Sequence, residues 1–397
     1  MDIINIRQSE NWQSLFLPNE LGATNFLVPI QLLGRIKDLK FKKHNYKNLI
    51  IRSAILLMVG TWNQPNVFAQ GVDQVEVNKL DNMAFGFSVE TTGGLSGGYF
   101  YASEPGPNAA DSEFLLSNLL LEISSGDQDL PVGFVFALGE TSTPSVLDTP
   151  QNNNALSIEY ASLTITPFPG VSIETGLLMP NSGYEATYTY ENQNILLGAV
   201  ASQQPYNAYG TKIGFEIEDL YIWAGYYRDR LDNEEYDSAD EAWEIGVCAT
   251  VFEIDINLYH YHIGGFRQLT GVSIERTFRN VDIGLDLDYW AWAGSIRNVY
   301  GSNSSIGGAV YVSPTFGSFS IPVRLEYVHQ EESQIYLESI NAERIFTATV
   351  TPTYHCNENT FVRVETAYVQ ADTAFAGKNG NTESDTFSLA MEVGFFF

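Results

Sequence analysis

Cysteine is almost absent from the 397 residues: only Cys248 and Cys356 occur. Two such residues make no disulfide framework and carry no metal-site spacing. Basic residues are scarce as well, 20 against 48 acidic, for a net charge of −28. Binding nucleic-acid phosphate needs clustered Lys and Arg, so a nucleic-acid partner is excluded. After residue 70 no run of about twenty uncharged apolar residues occurs, which excludes spanning helices there. What the chain has in quantity is aromatic surface, 24 Phe, 22 Tyr and 6 Trp. That is ample apolar surface for folding and argues against disorder.

Residues 1–69 read as a targeting region. Lys37, Lys40, Lys42, Lys43, Lys47 and Arg52 form a basic stretch, and Ser53 to Trp62 form a short apolar one. Val67-Phe-Ala69 then fits a small-residue cleavage site. The expected organisation is an N-terminal extension with a signal peptide over 1–69, a periplasmic segment over 70–94, and a folded domain over 95–397. Residues 1–69 hold eight basic and four acidic residues, so the remainder carries 12 against 44.

From Leu95 onward the apolar period is two. Val281, Ile283, Leu285, Leu287 and Tyr289 alternate with Asp282, Gly284, Asp286 and Asp288. Ile321, Val323, Leu325 and Tyr327 alternate with Pro322, Arg324 and Glu326. Successive strand residues face opposite sides, so each segment has one apolar and one polar face. Sixteen such segments span 95–103, 114–124, 131–139, 155–166, 171–179, 207–217, 219–229, 242–252, 254–264, 268–278, 281–292, 305–313, 318–330, 344–354, 360–371 and 385–397. Most are longer than the five or six residues of an ordinary strand, and match the nine to eleven of a tilted membrane strand. Long and short connections alternate, apart from the short Gly264-Gly265-Phe266. This is the layout of an outer-membrane barrel with long loops on one rim. The expected fold is an all-β transmembrane antiparallel barrel of about 16 strands, 14 or 18 being the alternatives. Phe387, Leu389, Met391, Val393, Phe395 and Phe397 occupy every second position to the last residue. The ending resembles the β-signal that barrel assembly machinery reads, with Phe395 and Phe397 at its core.

Polar residues on the strands belong inside, since charge at the lipid midplane costs about 2–4 kcal/mol for Arg or Lys. The expected lumen set is Lys212, Glu216, Asp282, Asp286, Asp288, Arg324, Glu326, Arg363 and Glu365, with Glu174 and Glu392. Tyr99, Tyr101, Tyr221, Trp223, Tyr226, Tyr227, Tyr289, Trp290, Trp292 and Tyr368 suit interfacial girdles, some of them turning inward. The longest connection, 180–206, contains Ile195-Leu-Leu-Gly-Ala-Val-Ala201, which is too apolar for water. It either folds into the barrel and narrows it, placing Glu185, Glu191 and Asn192 at the constriction, or covers an oligomer interface. The first is favoured.

Within this loop, Gly176-Leu-Leu-Met-Pro-Asn-Ser-Gly-Tyr-Glu185, then Glu191-Asn192, then Gln204-Pro-Tyr-Asn-Ala-Tyr-Gly210 resemble the OmpL-like β-barrel porin family. The resemblance implies an outer-membrane porin and brings no catalytic residues. Arg324/Glu326 and Arg363/Glu365 are the candidates for the Arg–Glu strand pairs typical of such barrels.

Other chemistry fares worse. His260 and His262 share a strand face but lack a third ligand, so no metal site is expected. Thr92-Gly-Gly-Leu-Ser-Gly-Gly98 lacks the Lys and helix of a phosphate loop. Asp229–Glu241 lacks an EF-hand pattern. No Ser–His arrangement is singled out by spacing. The expected function is passive diffusion of small hydrophilic solutes, mildly cation-preferring, with no enzymatic activity and no cofactor. The alternatives are a substrate-specific channel, a non-conducting adhesin or anchor, and a barrel hydrolase. The expected partners are outer-membrane lipid and lipopolysaccharide, the assembly machinery and the solutes; a homotrimer suits a barrel of this size. The expected location is the bacterial outer membrane.

Overall fold

The computed structural model describes residues 89–103, 112–125, 131–142, 144–147, 156–228, 241–264, 267–292, 304–330, 342–373 and 384–397. The extension, signal peptide and most of the segment over 70–94 lie outside the described residues, as do most of the acidic stretch 229–241 and the tips of most long loops.

Sixteen antiparallel strands close on themselves. They are β1 (Val89–Ala102), β2 (Ser112–Ser125), β3 (Val132–Thr141), β4 (Ser157–Phe168), β5 (Val171–Leu178), β6 (Ala208–Ile217), β7 (Leu220–Arg228) and β8 (Glu241–Val251). The second half comprises β9 (Ile254–Ile263), β10 (Arg267–Phe278), β11 (Val281–Trp292), β12 (Ser304–Phe316), β13 (Phe319–Ser320 and Val323–Gln330), β14 (Arg344–Val350 and Thr353–His355), β15 (Thr360–Ala371) and β16 (Asp385–Phe396). Pro322 interrupts β13 and Pro352 interrupts β14, because proline has no N–H for the ladder. Each strand pairs with its sequence neighbour, and β1 also pairs with β16, from Gly94↔Phe396 to Ala102↔Ser388. Phe397 N donates to Gly93 O at 2.9 Å, and Gly93 N returns the bond to Phe397 O at 3.0 Å. No edge is left open, which is what a sheet in lipid requires. No helix among the described residues is long and apolar enough to cross a membrane.

The first strand begins at Val89, six residues before the alternation suggested. Gly93 and Gly94 hide it, since glycine contributes nothing to an apolar pattern. Pro167 and Pro314 lie near the ends of β4 and β12, where a missing N–H interrupts little of the ladder.

Turn geometry sorts the rims. Tight turns join β4–β5, β6–β7, β8–β9, β10–β11 and β12–β13, and both chain ends of the barrel lie on this rim. Phe252 and Glu253 both take positive φ, 53° and 60°, as the commonest two-residue hairpin turn demands. At Gly170, φ is +79° and a Cβ would lie 2.6 Å from Glu216 O, so only glycine fits.

The outer surface is layered. Near the tight-turn rim Phe168, Phe252, Phe278, Phe316, Tyr354 and Phe395 are exposed. Near the opposite rim Phe114, Tyr209, Tyr226, Trp243, Tyr289 and Tyr327 are exposed. Leu163, Ile213, Ile245, Leu258, Leu287 and Leu325 lie between them, also exposed. Two aromatic belts around an aliphatic band is the surface an outer membrane selects. Of the girdle candidates, Tyr99, Tyr101, Tyr226, Tyr289 and Tyr368 follow the outward parity of their strands. Tyr221, Trp223, Tyr227 and Trp290 follow the inward one, and the last three are buried. Alternation separates these two groups, whereas nearness to a strand end does not.

Candidate functional site: the 179–207 connection inside the barrel

The link between β5 and β6 turns into the barrel and binds the wall around much of its circumference. Its apolar stretch is buried there: Ile195 is 0% exposed, Leu196 4% and Val200 2%. Burying this much backbone requires partners for its N–H and C=O groups, and ionised side chains of the wall supply them. Glu365 on β15 accepts from Ile195 N at 2.5 Å and Leu196 N at 3.1 Å. Glu326 on β13 accepts from Val200 N at 3.1 Å. Glu244 on β8 accepts from Asn181 N at 2.9 Å, and also from Trp223 Nε1 and Tyr227 OH. Gln204 donates to Asp286 and Asp288 on β11, both at 2.9 Å.

Two arginines complete the attachment. Arg324, fully buried on β13, meets Glu185 at 2.7 Å and Glu326 at 3.2 Å. It also donates to Leu196 O at 2.8 Å. Arg363 on β15 pairs with Glu392 on β16 and donates to Asn192 O at 2.7 Å and Thr189 O at 2.5 Å. Thr189 in turn donates through its N–H to Asn118 and through its hydroxyl to Glu392, at 2.6 and 2.7 Å.

The residues singled out by sequence therefore fall into different settings. Glu185 is buried against Arg324, and Gly198 N donates to it at 2.9 Å. Burial pushes its carboxyl up, and Arg324 opposes that shift. Asn192 ties the loop to itself, exchanging side-chain bonds with both backbone groups of Ala186 at 2.6 and 2.7 Å. Glu191 is exposed inside the barrel. Burial of its surroundings and the nearby Glu122 push its carboxyl up to about 7. Asp286, Asp288, Arg324, Glu326, Arg363 and Glu365 are buried on inward parity and occupied by the loop or by wall partners. Lys212 pairs with Glu174 at 3.1 Å beneath Asn181. Glu216 and Asp282 share the inward parity of their strands nearer the tight-turn rim, where Asp282 accepts from Thr277. A recess of about 150 Å³ beneath the loop is lined by Tyr184, Cys248, Asp255, Asn257, Ser273 and Glu275. Both cysteines are free. His260 and His262 face outward and both pack against the Trp243 ring, 4.9 and 5.3 Å between centroids. No metal-ligating cluster occurs among the described residues.

Sequence reasoning missed a second group, on β2–β4 and the adjoining part of the loop. Glu122 on β2 accepts a short bond from Tyr160 OH on β4, across Ala137 of β3. Tyr188 and Tyr190 of the loop stack at 5.7 Å and pack with Tyr160. The register of β2 shifts by one residue at Ser117, and β3–β4 shifts at Ala137. Each bulge flips the parity beyond it. A count of alternation from Phe114 therefore cannot say which way Glu122 faces.

Residues 88–397 match the family described as "Putative beta-barrel porin-2, OmpL-like". No curated protein matches the sequence. Among solved structures, the fold is similar to the outer-membrane-expressed OmpT of Vibrio cholerae, at TM-score 0.54 and 11% identity over 78% of this chain and 98% of that one. It is also similar to the outer-membrane channel DcaP of Acinetobacter baumannii, at TM-score 0.50 and 11% identity over 78% and 97%.

Proposed function

The chain belongs to the OmpL-like β-barrel porin family and is a bacterial outer-membrane barrel; from that premise we propose that it lets small hydrophilic solutes diffuse passively, with a mild preference for cations. The observation that carries this reading is the loop that enters a barrel of sixteen strands, a size that leaves room for water beside it. Size exclusion then acts in the space between loop and wall. Glu185, Glu191 and Asn192 belong to the constricting segment, Glu185 and Asn192 as its braces and Glu191 as its exposed charge. Lys212, Glu216, Asp282, Asp286, Asp288, Arg324, Glu326, Arg363 and Glu365 supply the electrostatics of the inner wall. Carboxylates there outnumber basic groups, which concentrates cations and repels anions.

In this reading the protein is a channel and not an enzyme. Phe395 and Phe397 end an outward apolar row and serve the assembly machinery as its signal. Lipopolysaccharide covers the long-loop side, and the barrel associates as a homotrimer. A second reading, a non-conducting anchor, is favoured by one observation: the loop spends most wall charges on its own backbone. Planar-bilayer recording under a KCl gradient decides between them. The channel reading expects discrete conductance steps and a cation-selective reversal potential. Silence supports the anchor, and anion selectivity sinks the cation preference.

A further inference from the structure

The buried stretch Ile195–Ala201 needs partners for its backbone groups, and side chains supply several of them. Ile195 N and Leu196 N donate to Glu365, Gly198 N to Glu185 and Val200 N to Glu326, while Leu196 O accepts from Arg324. Leu197 is served differently. Its N–H donates to Pro144 O at 2.8 Å, and its carbonyl accepts from Val146 N at 2.9 Å. Ser145 and Leu197 thus form a parallel bridge, and the partner segment belongs to the connection between β3 and β4. That segment leaves the wall at Ser142, whose N–H still donates to Ser117 O of β2 at 2.9 Å. Around the closed sheet β3 stands four strands from β15, which carries Glu365. The segment therefore reaches a part of the loop that is tied to a distant stretch of wall. Val146 is 3% exposed and shares one apolar cluster with Ile195, Leu196, Val200 and the wall residues Ala309 and Val328. Leu147 packs against this cluster, and its N–H donates to Ser145 Oγ at 3.2 Å. Ser145, Leu147 and Leu197 stay half-buried, so they border open space.

We infer that residues 144–147 are a second part of the constriction, a strap that holds the 179–207 loop at Leu197 and with it sets the largest solute that passes. The inference goes beyond the passive-diffusion reading and rests on that reading for the solute limit. Side-chain bonds from the wall fix Ile195, Leu196 and Val200 but leave both backbone groups of Leu197 unserved. Without the strap these groups are either buried without partners or turned to water, and turning them to water pulls the stretch off the wall. Val146 adds apolar cover on the same stretch. Pro144 suits the position because it has no N–H of its own to satisfy in a buried place. Its fixed φ also limits the conformations open to a detached strap. The contacts made to Leu197 are backbone bonds and apolar packing, with no ionised group. The strap's hold is therefore independent of the Arg324 and Arg363 ion pairs in kind as well as in place.

The test uses the full barrel, with Cys248→Ser and Cys356→Ser removing the native thiols. In that background Ser145→Cys with Leu197→Cys forms an intramolecular disulfide when diamide takes up the two thiol hydrogens. Mass spectrometry reads the loss of both thiols. The cross-linked barrel keeps the parental conductance in planar bilayers and the parental size limit in liposome swelling with graded sugars. Val146→Pro removes the N–H that Leu197 O accepts. It raises single-channel conductance about twofold and admits larger sugars, at unchanged heat-modifiable gel mobility. Val146→Ala keeps that N–H and shifts both readings less. Where Val146→Pro does not fold, Leu147→Asp, at a half-buried position, takes its place with the same expected direction. Failure of the cysteine pair to cross-link, or a strap variant with the parental conductance and size limit, overturns the inference. The two readings fail separately. A silent parent barrel refutes the channel and the size-limit role that rests on it, while the cross-link still tests where the strap lies. A conducting barrel that does not cross-link refutes the strap alone.

Discussion

The two sides of the loop are held by different chemistry. Toward β13–β16 every large charge has a partner: Arg324 among Glu185 and Glu326, Arg363 against Glu392, and Glu365 under two backbone N–H groups. Toward β2–β4 the attachment is mostly neutral: Thr189 N donates to Asn118, Tyr160 OH donates to Glu122, Tyr188 stacks on Tyr190, and Glu191 is left exposed. A buried ion that is paired and hydrogen-bonded fixes a structure, and removing one partner strands the other. A charge left unpaired beside water remains available to a solute. The comparison therefore separates an attachment built on paired charges from a largely neutral one that leaves Glu191 exposed, even though their wall residues read alike as polar positions on alternating strands.

The sharpest way to break the comparison is Arg324→Met. It leaves Glu185 and Glu326 without their cation, and the expected cost is about 3–5 kcal/mol. Unfolding in urea should shift strongly, and any folded fraction should show larger and noisier conductance as the loop comes free. Arg363→Met should follow the same pattern less severely, at about 2–3 kcal/mol, because Glu392 keeps the bond from Thr189. A mutant as stable and as quiet as the parent would refute the bracing role.

The β2–β4 side is probed by pH. Glu191 has its carboxyl raised from 4.5 to about 7, so it is charged above that value and neutral below it. Cation preference, read as reversal potential, should fall as pH drops from 8 to 6, and Glu191→Gln should flatten that change. The sign for stability is opposite. A carboxyl raised in the folded state favours folding when protonated, so this contribution is present below about 4.5 and is lost as pH rises through 7. The smallest effect is expected for Asn192→Ala. It removes two bonds to Ala186, about 1–2 kcal/mol, and should change the scatter of conductance levels more than the selectivity.

How much of this was legible in the sequence depended on what the pattern encodes. Alternation carries inside against outside directly, because lipid punishes every misplaced charge. Asp286, Asp288 and Arg324 on the inward rows and Leu287 and Leu325 on the outward ones follow from it. The apolar run Ile195–Ala201 pointed into the barrel for the same reason. Alternation does not encode which inward charges meet one another. Arg324 and Glu185 lie 139 residues apart, and their contact depends on the path of a loop without a period. Nor does alternation survive a bulge, which is why Glu122 went unnoticed. The girdle shows the same limit: Trp223 and Tyr226 are near neighbours in sequence, yet one is buried inside and the other exposed outside.

The most direct test of the proposed cation preference is the reversal potential under a tenfold KCl gradient at pH 8, for the unmodified barrel and for Glu122→Gln with Glu191→Gln. The account predicts a cation-selective potential that moves toward zero in the double variant while conductance persists. An anion-selective potential, or one that the double substitution leaves unchanged, would contradict it.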